Sequence, residues 1–117
     1  MKTTTELWSF GKGLQEDAAV LVGYDVDATD GHIGKIDKAS EETSRRYLVV
    51  DTGFWIFGKK RMVPAGLVSR VDHDGRRVSI SMSKDQIKSA PDYDDVERHY
   101  TDDDYDGTFG SYYRGLP

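Results

Sequence analysis

Few residues in this sequence have the types and the spacing that catalysis requires. The chain contains no cysteine, which excludes thiolate nucleophiles, sulfur-ligated metals and disulfides. Its histidines are far apart: His32 and His73 lie at Asp-Gly turns, and His99 lies in an acidic segment. The sequence has no nucleophile elbow, paired zinc histidines, phosphate-binding loop or dinucleotide fingerprint. We therefore expect no enzymatic activity, no catalytic residue and no cofactor.

An acidic motif near the C-terminus has the spacing of a calcium loop. Asp102, Asp104 and Asp106 alternate and are followed by Gly107, which matches the first half of an EF-hand loop. The second half does not match, because Tyr113 stands where a bidentate glutamate is required. A solvated acidic segment is the better interpretation, and we expect no metal there.

The segment 54–61, with the sequence FWIFGKKR, has the composition of a binding surface. Four large apolar residues precede three cations, and alternate residues of a strand point to opposite faces. One pair of apolar residues could therefore fill the core while the other pair is exposed. Aromatic side chains flanked by cations are typical of protein interfaces. The candidate partner-binding residues are Trp55, Phe57, Lys59, Lys60 and Arg61.

Three interpretations of this segment remain open. It could pack under one of the chain ends, with its cations merely solvated. It could mediate self-association, since a small domain of about 65 residues, such as the barrel predicted below, buries only about 60% of its surface. A homodimer is our main hypothesis. It could also bind RNA, with bases stacked on Trp55 or Phe57 and phosphates paired to the cations.

Length and charge limit the remaining classes of function. A chain of 117 residues with 37% hydrophobic residues fits one small domain. Residues 1–90 carry 14 basic and 13 acidic side chains, so no general basic field recruits nucleic acid, and we expect nucleic acid binding to be unlikely. No apolar run is long enough to span a membrane, and no secretion signal is recognised. We expect a cytoplasmic protein.

The first half of the chain predicts a β-hairpin. From Val20 to Val26 apolar and polar residues alternate, which indicates a first strand. Asp30-Gly31 is typical of a tight turn with two positive-φ residues, after which residues 32–38 form the second strand. Ile33 and Ile36 would lie on opposite faces of a regular strand, so we predict a bulge at Gly34.

Further strands and one short helix follow. The apolar run 47–50 indicates a strand that is buried on both faces. Residues 61–63 and 67–71 predict strands around a break at Pro64, and a second Asp-Gly turn leads to the alternating strand 76–82. Ser83 and Gln86 have the spacing of a capping box, which predicts a short helix that ends by Pro91. The fold class is mainly β: a small antiparallel β-barrel with a short closing helix.

Several stretches of this sequence resemble the PRC-barrel family. They are DGHIGKI at 30–36, YLVVD at 47–51, MVP at 62–64 continuing to Val71, and KDQIKSAP at 84–91. The resemblance covers about two thirds of the chain and is that of a stand-alone bacterial member. It implies a β-barrel that serves as a scaffold for contacts and carries no family catalytic residues. We therefore expect a non-enzymatic protein-interaction module; the alternative is an RNA-binding or ribosome-associated accessory protein.

The two ends of the chain lie outside the barrel pattern. We divide the chain into a lead-in (1–19), a barrel-like domain (20–91) and an acidic, aromatic-rich tail (92–117). The tail has two basic and eight acidic residues but also six aromatic ones, which is too aromatic for a plain solubility tail. We expect part of it to dock, either on its own barrel near residues 59–61 or on a partner.

Overall fold

Six strands and several short helical segments form the part of the chain that the structure describes. A computed structural model describes residues 4–11, 14, 18–40, 42, 45–53, 60–93 and 100–116. The strands are β1 (Asp25–Ala28), β2 (Gly31–Ala39), β3 (Tyr47–Asp51), β4 (Lys60–Pro64), β5 (Val68–Asp72) and β6 (Arg77–Ile80). The α-helices are α1 (Thr4–Leu7), α2 (Lys84–Lys88) and α3 (Gly110–Arg114). In these ranges, no helix has the length and apolar character to span a membrane.

The strands form one sheet in the order β4-β3-β2-β1-β6-β5. Its two edge strands, β4 and β5, are joined by a 3₁₀ turn of three residues (Ala65–Leu67). The sheet must therefore curl so that the end of β4 lies close to the start of β5, as in a small barrel. This confirms the mainly β fold class, and a capping box on Ser83 and Gln86 begins the predicted closing helix α2.

One strand pair differs from the expected antiparallel arrangement. β1 and β6 are parallel, whereas all other neighbours are antiparallel. The reason lies at Pro64, where the chain passes from β4 into β5 without reversing its direction in the sheet. Only four reversals therefore separate β1 from β6, and an even number leaves two strands parallel.

The predicted bulge in β2 is confirmed. Val26 pairs with Gly34 and Asp27 pairs with His32, so Ile33 has no opposite residue. A second irregularity follows Ile36, and both isoleucines are buried. Gly34 has a φ of +157°, and a Cβ there would lie 2.0 Å from the carbonyl oxygen of Asp51. Only glycine permits this close approach between β2 and β3.

The prediction that the first strand begins at Val20 is wrong. Residues Ala18–Leu21 form a 3₁₀ turn, and β1 begins at Asp25. Val20 and Val22 are 54% and 41% exposed, while Leu21 is buried in their place. Gly23, with a φ of +90°, separates the turn from the strand. A 3₁₀ turn with three residues per repeat and a strand with two cannot bury the same set of side chains.

The two Asp-Gly turns also differ from the expectation. Gly31 has a positive φ but is already the first residue of β2, and Asp30 does not have a positive φ. The second turn spans the four residues between β5 and β6, and its left-handed residue is Arg76 rather than Gly75. The carboxylate of Asp72 accepts a hydrogen bond from the Gly75 N–H at 3.0 Å and holds this wider turn.

Both ends of the chain contribute to the core. Leu7 and Trp8 of the lead-in are buried, as are Phe109 and Tyr113 near the C-terminus. Gly66 packs directly under the lead-in, because a Cβ there would lie 2.0 Å from the carbonyl oxygen of Glu6. Of the two alternatives for the tail, the structure supports docking on its own barrel. The core residues are Leu7, Trp8, Ala18, Leu21, Tyr24, Val26, Ala28, Ile33, Ile36, Leu48, Val49, Val50, Met62, Val63, Leu67, Val68, Val78, Ile80, Met82, Ile87, Ala90, Tyr93, Phe109 and Tyr113.

Candidate interaction surface

The predicted partner-binding residues lie on and before strand β4. Trp55, Phe57 and Lys59 are outside the described residues, whereas Lys60 and Arg61 begin the strand. Asp51, the last residue of β3, pairs with Lys60. Residues 52–59 therefore connect two adjacent antiparallel strands, and the two ends of this connection lie side by side.

Lys60 is held from both sides at the base of this connection. Its Nζ lies 2.7 Å from a carboxylate oxygen of Asp37 in β2, and its side chain is 28% exposed. Its backbone forms an isolated antiparallel bridge with Tyr93. Lys60 thus retains some access to solvent, but its ammonium group already has an anionic partner.

Arg61 occupies an internal position and not the surface. It is 3% exposed, and its Nε donates to the carbonyl of Ile87 at 2.9 Å. Its Nη2 donates to the carbonyl of Lys88 at 3.1 Å, and its Nη1 lies 2.8 Å from Asp92. The guanidinium thus binds carbonyls at the C-terminal end of α2, where the helix dipole favours a cation. A role for Arg61 in contacting a partner does not fit this geometry, because its donors are used inside the protein.

Four tyrosines pack together at the start of β3. This tyrosine cluster consists of Tyr47, Tyr93, Tyr100 and Tyr105. The hydroxyl of Tyr47 lies 3.1 Å from that of Tyr93 and 3.2 Å from that of Tyr105. The Trp8 ring meets Tyr47 and Tyr105 edge to face. The contacts among Trp8, Tyr47 and Tyr105 thus join the lead-in, β3 and the tail.

Arg45 connects the tyrosine cluster to the acidic motif. Its guanidinium carbon lies 4.6 Å from the centre of the Tyr105 ring. Its Nη1 lies 3.2 Å from Asp102, and its Nη2 lies 3.5 Å from Asp106. No motif in the sequence includes Arg45, and only the docked tail creates this role.

The acidic motif is helical rather than an EF-hand loop. A π-helical turn, Asp104–Phe109, leads directly into α3. The carboxylate of Asp104 accepts hydrogen bonds from the N–H and hydroxyl of Thr101, whereas Asp102 and Asp106 pair with Arg45. Two of the three carboxylates therefore share Arg45, and the third binds Thr101. Within the described ranges, no group of three histidine, cysteine or acidic side chains could hold a metal ion.

The C-terminal helix is fixed to the barrel by two tyrosine hydroxyls. Tyr113 donates to the carbonyl of Met62 in β4, and Tyr112 donates to the carbonyl of Gln86 at 2.6 Å. The bond to Met62 covers part of the free edge of β4. The tail thus contributes backbone hydrogen bonding as well as apolar burial.

Burial of these tyrosines predicts an alkaline limit to stability. Desolvation raises the pKa of Tyr105 to about 12 and raises the pKa values of Tyr93 and Tyr113 above the ordinary value of 10.0. Above about pH 10 the unfolded chain loses phenol protons that the folded chain keeps, so the free energy of unfolding falls as pH rises. We expect the melting temperature to fall between about pH 10 and pH 12, together with a rise in phenolate absorbance. An unchanged melting temperature across this range would contradict the burial of the three phenols.

The histidines are not associated with a nucleophile in the described residues. The Nδ1 of His32 lies 3.5 Å from Asp27, whose pKa is lowered chiefly by a hydrogen bond from Arg77. The Nδ1 of His73 lies 2.9 Å from the Tyr24 hydroxyl. His99 lies outside the described residues. The two described histidines therefore belong to separate pairs, one with a carboxylate and one with the buried Tyr24.

Comparison with known proteins shows what the fold of this chain is similar to. No family model and no curated protein sequence matches the chain. A solved structure, named as a 16S ribosomal RNA processing protein, RimM, from Pseudomonas aeruginosa, matches with a TM-score of 0.51 and 18% identity. The fold is similar to that of RimM. This likeness supports the PRC-barrel-like architecture, although the match covers 63% of this chain and only about half (48%) of RimM.

Proposed function

We propose that this chain is a non-enzymatic protein-interaction module of the cytoplasm. Its contact residues are Trp55, Phe57 and Lys59, with Lys60 at the base of the same connection. The proposed partner is a second copy of the chain, and the alternative is another protein. Catalysis has no part in this proposal, because the sequence carries no catalytic motif.

The anchoring of β4 is the observation that supports this proposal most. Arg61 ties the strand to the end of α2, and Lys60 ties it to β2 and to Tyr93. The connection 52–59 therefore starts and ends on backbone that is held in place. A fixed base reduces the conformational entropy that an interface loses on binding, which favours its use as a contact surface.

Replacing the two aromatic residues tests the proposal directly. We expect Trp55→Ala with Phe57→Ala to lower the mass observed by sedimentation at micromolar concentration. Aromatic residues at the centre of an interface contribute about 2 kcal/mol each, which corresponds to about a thirtyfold rise in Kd.

Val20→Ala with Val22→Ala is the matched control. These valines are exposed apolar residues outside the segment 54–61, so their removal should leave the mass unchanged. If the aromatic double variant sediments like the unaltered chain at every concentration, self-association through this segment is wrong. Cross-linking through Lys59 and Lys60 then asks whether another protein uses the same surface.

RNA binding is the second candidate function, and the fold similarity to RimM is the observation that favours it. The same aromatic residues would stack on bases while the cations contact phosphates. Titration with single-stranded RNA distinguishes the two candidates. RNA binding should weaken steeply as salt is added and should be lost in the aromatic double variant, whereas no binding at low salt rejects this candidate.

A further inference from the structure

The two edge strands of the sheet, β4 and β5, differ in whether other segments of the chain cover their free sides. The free edge of β4 is covered by the chain itself, through the bridge between Lys60 and Tyr93 and the bond from Tyr113 to Met62. β5 is the edge strand at the opposite end of the sheet order. Among the residues that the structure describes, β5 forms strand pairs with β6 only, and its one other backbone hydrogen bond runs from the Val68 N–H to the carbonyl of Ala65. From Ser69 to Asp72, the outer row of N–H and C=O groups therefore has no backbone partner in the described ranges.

After Val68, the residues of β5 are accessible to solvent. Ser69 and Arg70 are exposed, and Val71 and Asp72 are half-buried. Arg70, Val71 and Asp72 pair in regular register with β6, whereas the register shifts between Val68 and Arg70. The irregularity thus lies at one end of the strand and leaves three consecutive residues with regular strand geometry.

We propose that β5 pairs with β5 of a second copy of this chain. The two strands run antiparallel about a two-fold axis at Val71. This axis places Arg70 of each copy opposite Asp72 of the other, so that two ion pairs flank the centre. Antiparallel pairing of edges in this way extends the sheet across the two copies.

Charge complementarity selects this occupant and this register. Charged residues normally protect an edge strand, because like charges meet when identical strands pair. Here an axis at Arg70 would bring two arginines together, whereas an axis at Val71 brings opposite charges together. Arg70 has no ion-pair partner within the described part of the chain, so its guanidinium is free to make this contact.

Charge reversal in two variants tests the pairing. Arg70→Asp places aspartates opposite each other at both flanking positions, and Asp72→Arg places arginines opposite each other. Each variant alone should self-associate at least about tenfold more weakly, since cross-strand charge pairs change from attractive to repulsive. An equimolar mixture of the two variants should recover the lost mass, because every flanking pair is then complementary.

Asp72 also holds the turn after β5, and Asp72→Arg removes that contact. A second variant at the same position therefore serves as a control for misfolding. Asp72→Asn keeps an oxygen acceptor for the Gly75 N–H and removes only the charge. It should weaken association less than Asp72→Arg does. The mass of each variant of the full chain is measured by sedimentation over a concentration series. Circular dichroism verifies that each variant folds.

The masses of these variants distinguish the β5 contact from the contact proposed above for residues 54–60. If both exist, the unaltered chain extends beyond a dimer, since two different two-fold contacts on one chain continue the assembly. Arg70→Asp then stops at a dimer, and adding Trp55→Ala and Phe57→Ala gives a monomer. If Arg70→Asp associates like the unaltered chain, or if the mixture does not recover the mass, the β5 contact is wrong. If Arg70→Asp alone gives a monomer, β5 is the self-association surface and the 54–60 contact is not.

Discussion

Deletion of residues 101–117 should lower the melting temperature by more than about 10 °C. The deleted segment contains Phe109 and Tyr113, which are 1% and 2% exposed. Removing a single buried aromatic side chain costs about 3–5 kcal/mol, and about 1 kcal/mol corresponds to several degrees in a domain of this size. The same deletion uncovers Trp8 and Tyr47, because Tyr105 packs against both rings.

A fluorescence measurement reports the uncovering independently of stability. In a Trp55→Phe background, Trp8 is the only remaining tryptophan, and its emission should shift to longer wavelength when the tail is deleted. Tyr113→Phe is the matched control: it keeps the ring and removes only the hydroxyl that donates to Met62. That variant should lose about 1 kcal/mol and keep the Trp8 emission unchanged. A deletion variant that melts within about 2 °C of the full chain would contradict the docked position of the tail.

Arg61→Met should lower the free energy of unfolding by about 2–4 kcal/mol. The substitution keeps an apolar side chain of similar length but removes the donors to the carbonyls of Ile87 and Lys88. Asp92 loses its cation as well, although it is 57% exposed and water can solvate it. Most of the loss therefore comes from backbone acceptors at the end of α2 that no longer have this donor.

Lys60→Met is the control for Arg61→Met, because it removes the neighbouring cation of the same strand. The ion pair of Lys60 with Asp37 is partly solvated, so its loss should cost less than about 1 kcal/mol. Urea unfolding with an unchanged m-value gives both differences. If the two variants lose equal stability, Arg61 is not the anchor of α2 that the geometry indicates.

Local features of the fold could be predicted from the sequence. The alternation of Val78, Ile80 and Met82 predicted their burial, and all three are buried. Ile33 and Ile36 predicted the bulge at Gly34. These predictions depend on residues two or three positions apart, and the steric rules that relate such neighbours act in any chain.

Features that depend on distant residues could not be predicted. Arg61 resembled its neighbours Lys59 and Lys60 in the sequence, and only the end of α2, 26 residues later, gives it an internal role. Val20 and Val22 continued the period of a strand, but Gly23 and the packing of Leu21 produced a 3₁₀ turn instead. Neither outcome follows from side-chain type alone, because each depends on which surface the segment meets.

The sequence by itself determined a mainly β barrel, its principal bulge and its closing helix, because period, glycine position and capping chemistry are local properties. Only the tertiary structure decided that the tail belongs to the core and that β5 remains an open edge. Tyr113 binds Met62 of β4, and its helix α3 packs against α1 of the lead-in, so the surface that buries it is built by segments far apart in the chain. Likewise, β5 is an edge strand only because it comes last in the order of the sheet, which depends on how all the other described strands pair.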